Sequence, residues 1–314
     1  MGRESVVAWV ESPLQLLGAA EWAAAHGRSI DLAARVTPQI PETAEELLRR
    51  GAAFAEKQPY FGIPWRMLAA HEHWLVGDGF SGQFRLAAAV LRPRRVTFLD
   101  DGLNTLALAD AVAGTRPYRR PGVNERGLTT RLAPLVLDHV RRTALAGAAE
   151  LFTAFPLGDA RAAAIAEYGM QARRHAFDWL RDTAPALRIA DALGEGRILL
   201  GSARYVDGHE PEDGYLRWVA REAAAAPVTY LPHRREPAEA LERVARIPGV
   251  RVQRLDMPVE LALAGIGRPL EIRSLLSSTL TTLPIVLAGT GSTVTETTIA
   301  GAGRTRDRHV ETSS

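Results

Sequence analysis

The sequence predicts an α/β protein made of two doubly wound, mostly parallel sheets. Short apolar runs of strand length alternate with helical patterns through both halves of the chain. Its 314 residues suffice for two domains of ordinary size. Polar residues gather where strands give way to helices, the edge at which open α/β sheets carry their chemistry. The expected division is an N-terminal domain over 1–190 and a C-terminal domain over 191–314.

Val6 to Val10 reads as the first strand. Ser12-Pro13-Leu14-Gln15 follows as a helix start: Ser12 is the N-cap, Pro13 suits the first helical position and Gln15 can close a capping box. Backbone N–H groups there can serve as a cap alone or face a ligand anion. Gly27 ends that helix. A strand is expected over Ser29 to Val36, a helix from Pro41 to about Glu56, and a Pro- and aromatic-rich loop over 59–65.

His73 to Val76 is the third expected strand, and a helix runs from Gln83 to Leu91. Between them Gly77-Asp78-Gly79-Phe80-Ser81-Gly82 matches G-x-G-x-x-G, and an acidic residue, Asp100, lies about 20 residues on. That is a dinucleotide fingerprint, so an NAD(P)-dependent oxidoreductase is an alternative function. The competing reading is a loop that needs glycine for close packing.

Val96 to Leu99 is a buried strand that ends in Asp100-Asp101-Gly102, with a helix to about Ala113. Adjacent carboxylates repel, so one is expected to hold its proton more tightly and to be able to act as a base. Asp-Gly is also a common turn pair. Arg116–Arg142 carries seven arginines, either a solvated face or an electropositive lip for an anionic acceptor or a membrane surface. Leu132 to Leu145 is expected to be helical, Leu151 to Phe155 a strand, and 156–190 a helical connection between the halves.

The second half repeats the rhythm. Strands are expected at 197–200, 228–231, 250–255, 272–276 and 285–288, with helices at 211–225, 236–246, 258–264 and 277–283. The strand tips are Gly201-Ser202, Pro232-His233-Arg234-Arg235, Met257-Pro258-Val259-Glu260 and Ser277-Ser278. A histidine at such a junction can hydrogen-bond a phosphate oxygen, and paired hydroxyls can do the same. Glu260 can hold a ribose diol or favour its helix dipole. Together these groups would suit a nucleoside monophosphate. From about Gly301 the chain is polar and expected to fray.

Composition narrows the classes. Hydrophobic residues make up 46% and charged residues 24%, as in ordinary globular proteins. The net charge of +2 gives no bulk attraction to nucleic acid. Lys57 is the only lysine, so the basic side is nearly all Arg, which suits planar anions. There are no cysteines, hence no disulfides or thiolate metal sites. There is no P-loop lysine pattern and no His/Asp cluster with metal-ligand spacing. No leader segment is expected before the first strand and no apolar run is long enough to span a membrane. The expected location is cytoplasmic, with peripheral contact at the inner membrane face through Arg116–Arg142 as the alternative.

In these residues the chain resembles the bacterial sialyltransferases and polysialyltransferases of the two-Rossmann-domain (GT-B) type, and most closely the polysialyltransferase-related branch. Asp100-Asp101-Gly102 resembles the family's acidic-acidic-Gly motif, Leu231-Pro232-His233-Arg234 its His-Pro motif, and Ser277-Ser278-Thr279-Leu280 its paired serines. Glu11-Ser12-Pro13-Leu14-Gln15-Leu16-Leu17 resembles the N-terminal stretch of that branch. The spacing is 27 residues from His233 to Glu260 and 17 more to Ser277. Arg234 stands where the family usually has Pro.

The resemblance implies two Rossmann-like domains facing a cleft and an inverting, metal-independent transfer. The donor would be CMP-sialic acid, or a related CMP-activated nonulosonate, and the acceptor a glycan; no cofactor is implied. Asp101 would be the general base and His233 the acid or hydrogen-bond donor to the departing CMP phosphate. Ser277 and Ser278 would hold that phosphate and Glu260 the ribose, with Gly201, Pro232 and Arg234 completing the donor site. Asp100, Gly102, Ser12 and Gln15 would support the base. A non-catalytic CMP- or glycan-binding relative is the remaining alternative.

Overall fold

Runs such as Val6–Val10 and His73–Val76 are buried along their whole length, as strands covered on both faces must be. A computed structural model describes residues 5–185, 193 and 196–299. The chain divides into two compact units, Met1–Thr183 and Ala184–Ser314.

In the first unit the elements run β1 (Val6–Val10), α1 (Pro13–Ala25), β2 (Ile30–Arg35), α2 (Ile40–Arg49), β3 (Phe54–Tyr60), α3 (Trp65–Ala70), β4 (His73–Val76) and α4 (Gly82–Leu91). They continue with β5 (Arg95–Phe98), α5 (Asn104–Val112), α6 (Leu128–Leu145), β6 (Ala149–Thr153), α7 (Asp159–Glu167), β7 (Gln171–Arg174) and α8 (Asp178–Asp182). The sheet order is β3-β2-β1-β4-β5-β6-β7, and every pairing is parallel. The strand order reverses between β1 and β4. That switch point is where open α/β sheets leave a crevice.

The second unit contains β8 (Arg197–Leu200), α9 (Ala203–Val206), α10 (Glu212–Ala225), β9 (Val228–Leu231), α11 (Ala238–Ala245), β10 (Val250–Val252), α12 (Val259–Leu263), β11 (Glu271–Ser274), α13 (Thr279–Val286) and β12 (Thr293–Glu296). Its order is β10-β9-β8-β11-β12, again all parallel, with the switch point between β8 and β11. Alternate residues feed two separate cores. Ile198, Leu200 and Ile272 join Leu283, whereas Leu199 and Tyr230 join Trp218. A period of two along a strand divides its side chains between faces, so this sheet is covered on both sides. One face of the first sheet carries a core of its own, with Trp9 edge-on to Trp74 at 6.2 Å and Phe84 of α4 edge-on to Phe98 at 5.7 Å.

Three expected elements are corrected. Phe54–Tyr60 is a strand, where the end of a helix and the start of a loop were expected, and α3 begins at the last residue of that loop, Trp65. Gln171–Arg174 is a strand inside the expected helical connection; residues 186–190 of that connection lie outside the described residues. Both are outermost strands with exposed polar interiors, and the first tolerates Pro59 because one of its edges makes no ladder. The strand expected at 285–288 is instead the end of α13 and the turn after it, and the edge strand lies at Thr293–Glu296. A short apolar run carries no period that tells buried helix from buried strand. The polar stretch from Gly301 lies outside the described residues.

Candidate functional site

The first unit gathers its chemistry at the tips of β1, β4 and β5. Ser12 caps α1, and the full capping box forms with Gln15. Gln15 Oε1 accepts from the Ser12 N–H at 3.1 Å and from the Glu11 N–H at 2.6 Å. The other end of the same carboxamide reaches across the switch point, and Nε2 donates to Asp101 Oδ1 at 2.7 Å. Gly77 at the tip of β4 leaves the room this requires, because a Cβ there would overlap the Gln15 side chain.

The two carboxylates of Asp100-Asp101 part company. Asp100 is buried and accepts from the Thr153 hydroxyl, from the Ala154 N–H at 2.7 Å and from His175 Nε2 at 3.2 Å. It ties the tip of β5 to the tip of β6. Gly102 then turns with φ +60°, the left-handed region that glycine enters without strain. Asp101 faces the other way, its side chain about 20% exposed and therefore reachable. Asn104 Nδ2 donates to its Oδ2 at 3.0 Å, and Arg120 stands 3.7 Å off.

Burial raises the Asp101 carboxyl to about 7, and the negative charge of Asp78 adds to the rise. The repelling partner is therefore Asp78 from the next strand, not the chain neighbour Asp100. Arg120 bridges Asp78 and Asp101. Glu11 is also raised, by burial and then by Asp78, although Arg35 pairs with it at 2.7 Å.

A cavity of about 510 Å³ opens beside these groups, with Glu11, Arg35, Asp78, Gln83, Arg120 and Arg126 in its lining. Sequence reasoning saw Asp78 only inside the glycine motif and passed over Glu11 and Arg35. All three stand at or just beyond the ends of strands beside the switch point, a position readable once the strand order is known. The glycines of that motif are packing devices: Gly79 faces Leu108 and Phe98, and Gly82 faces Thr129. The arginine run also serves the interior in part. Arg141 bonds the Val112 carbonyl and lies 4.3 Å over the Tyr168 ring, while Arg119, Arg126, Arg131 and Arg142 are exposed.

The second unit gathers Gly201, Pro232 and His233 at the tips of β8 and β9. A Cβ on Gly201 would overlap the Glu236 carboxylate and press on the His233 backbone nitrogen. Glu236 is the hub of this corner. Its carboxylate accepts from the His233 N–H at 2.6 Å, the Tyr230 hydroxyl at 2.6 Å and the Tyr205 hydroxyl at 3.2 Å. Burial lifts it to about 7.

His233 itself is half-buried. Its Nδ1 accepts from the Arg235 N–H at 3.3 Å, which leaves the proton on Nε2. Burial and the adjacent Arg235 and Arg234 lower it to about 4, so at neutral pH it is an uncharged donor. Arg234 is exposed, and Arg235 is held by Asp207 in two bonds of 2.8 and 2.7 Å.

Ser277 Oγ lies 3.1 Å from Ser274 Oγ and 2.6 Å from Thr279 Oγ1. Ser278 stands at the start of α13, half-exposed, and its hydroxyl makes no capping bond. Glu260 is placed differently from a surface ribose ligand: it is buried, and its Oε1 accepts from Thr282 Oγ1 at 2.6 Å. Among the described residues no three His, Asp or Glu side chains converge to hold a metal ion, and no helix is long and apolar enough to cross a membrane.

Glu236 makes stability depend on pH. Its folded value of about 7 lies above the ordinary 4.5, so the folded chain holds the proton longer. Its own contribution to stability is thus greatest below about 4.5 and is lost as pH rises through about 7. Glu236→Gln, which keeps the hub uncharged, is expected to flatten that slope and to gain about 2 kcal/mol at neutral pH. Urea unfolding at a series of pH values checks this; an unchanged slope would count against it.

No protein-family profile matches the chain, and no curated protein matches its sequence. Solved structures do match its fold. A protein assigned as a UDP-N-acetylglucosamine 2-epimerase from Listeria monocytogenes is similar with a TM-score of 0.56 and 14% identity, over 94% of this chain and 79% of that one. The MnaA of S. aureus, solved with UDP, is similar with a TM-score of 0.56 and 11% identity, over 93% and 78%. Heptosyltransferase WaaC of E. coli gives a TM-score of 0.43 and 13% identity, over 93% and 92%. The chain thus carries two parallel Rossmann-like sheets, of seven and five strands, in a fold of the GT-B type.

Proposed function

We propose that this chain is a glycosyltransferase that moves sialic acid, or a related nonulosonate, from a CMP-activated donor to a glycan acceptor. The observation that carries the reading is Asp101. It is a reachable carboxylate whose oxygens are held by the neutral amides of Gln15 and Asn104, with its proton affinity near neutrality. A general base works best when its pKa lies near the working pH. Amide donors fix the direction of the lone pairs, and the cation beside them, Arg120, stands back at 3.7 Å.

In this reading Asp101 takes the acceptor hydroxyl proton as the oxygen attacks the anomeric carbon. The bond to the CMP phosphate breaks, and the phosphate departs with the electron pair. His233 Nε2–H, neutral, stabilises the developing charge as a hydrogen-bond donor. This favours donor over acid for that residue, because burial and two arginines disfavour its charged form. Ser277 and Ser278 hold the phosphate. A ribose role for Glu260 requires Thr282 to release it.

Calorimetry with CMP, UDP and NADH tests the reading. CMP is expected to bind and to raise the melting temperature by mass action. NADH is expected not to bind, because Gln15 occupies the space in front of Gly77 where a pyrophosphate would approach. Binding of UDP in preference to CMP would favour the second reading, nucleotide-sugar epimerisation, which the two solved structures with TM-scores of 0.56 bring forward.

A further inference from the structure

The glycine motif over 77–82 and the arginine run over 116–142 meet beside Asp101. Arg120 of the run sits in the loop between α5 and α6, and that loop is anchored at several points. Tyr118 is buried, its ring centroid 5.5 Å from that of Phe80, and its hydroxyl donates to the Gly79 carbonyl. Arg85 of α4, itself buried, donates to the Tyr118 carbonyl at 3.3 Å and pairs with Glu125 at 2.6 Å. Glu125 in turn accepts from the Arg120 backbone N–H at 3.0 Å. The backbone of Arg120 is thereby fixed, and so is the reach of its guanidinium.

That guanidinium meets two carboxylates from different strand tips. Nη2 donates to Asp78 Oδ2, and Nη1 stands 3.7 Å from Asp101 Oδ2. A planar fork can address both at once, which a single ammonium does less well. Asp78 is held in its turn, its Oδ1 accepting from the Phe80 N–H at 2.9 Å. From α1 and α5 Asp101 meets the neutral amides of Gln15 and Asn104. Glu11 feels Asp78 and is paired with Arg35, and Asp100 turns to Thr153 and His175. The charges acting on Asp101 therefore oppose each other: Asp78 favours its protonated form and Arg120 its ionised form.

We propose that Arg120 is a positioning residue for the base: aimed by Arg85 and Glu125, it offsets the charge of Asp78 and keeps Asp101 available as an ionised carboxylate. The proposal rests on the transferase reading and adds to it the residue that governs the base. Carbon-13 NMR titration of the aspartate carboxyls in the full chain tests it, with the Asp101 signal identified by its loss in Asp101→Asn.

Arg120→Gln is expected to move the Asp101 midpoint up by about one pH unit, and Asp78→Asn to move it down by about as much. Arg120→Lys, which keeps the charge, is expected to stay near wild type. The acid limb of transfer is expected to move with the midpoint, so that Arg120→Gln transfers about tenfold less at a pH well below it. The proposal is overturned if Arg120→Gln leaves the midpoint in place, if Arg120→Gln and Asp78→Asn move it the same way, or if Arg120→Lys moves it as far as Arg120→Gln. A purely structural ion pair would lower the melting temperature and leave the midpoint unmoved. If Arg120→Gln does not fold, an unmoved midpoint in Asp78→Asn or a raised one in Arg120→Lys overturns the proposal. CMP calorimetry on the same samples separates the two failures. Opposed shifts in a chain that binds no CMP remove the transferase and leave the hold of Arg120 on Asp101 standing; CMP binding with unmoved midpoints removes only the role of Arg120.

Discussion

Asp101→Asn is expected to lower sugar transfer by about 10²–10⁴-fold and to leave CMP binding intact. Asn has the size of Asp, and its oxygen can still accept from Gln15 Nε2. What it lacks is a site for the acceptor's proton. The fold should not suffer, because the substitution removes a buried charge that Asp78 repels. The wild-type profile should show the same group from another direction. Only the ionised carboxylate is a base, so transfer should fall about tenfold for each pH unit below about 7. In Asp101→Asn that limb should vanish. Residual transfer within a few-fold of wild type, with the acid limb still present, would move the base elsewhere, and Glu11 would be the next residue to test.

Gly201→Ala is expected to destabilise the second unit by about 3 kcal/mol or more, the upper range for forcing atoms into a packed site. A Cβ at this position meets the Glu236 carboxylate and backbone atoms of Pro232 and His233 together. A flexible side-chain end could swing aside at little cost. Glu236 cannot, because it accepts from three donors and is buried, and the backbone of β9 is held by its ladder with β8. Any relief must push the Pro232-His233 turn outward, so the loss should appear in the proposed donor site as well as in stability. Denaturant unfolding and CMP calorimetry on one sample measure both. An Ala variant as stable as wild type, with unaltered CMP affinity, would show that the turn yields without cost.

The placement of many candidate residues at strand ends was legible in the sequence. The capping box of Ser12 and Gln15 is a four-residue pattern whose geometry is local, and it forms as read. The buried strands Val6–Val10, His73–Val76 and Val228–Leu231 announce themselves by apolar runs of strand length. The outermost strands Phe54–Tyr60 and Gln171–Arg174 do not, since exposure removes the apolar signal. The hub at Glu236 was also invisible. A glutamate after a histidine reads as the first turn of a helix until Tyr205 and Tyr230 are seen to converge on it.

The amino-acid order alone determined two α/β sheets and the junctions that carry polar residues, because hydrophobic period and capping chemistry act over a few neighbouring residues. Only the tertiary structure decided which carboxylate of Asp100-Asp101 is structural and which is reachable. Asp100 was settled by Thr153 and His175, more than fifty positions away, and Asp101 by Gln15, Asp78 and Arg120. Burial and charge act through space, and partners so distant in the chain leave no trace in the local pattern of either residue.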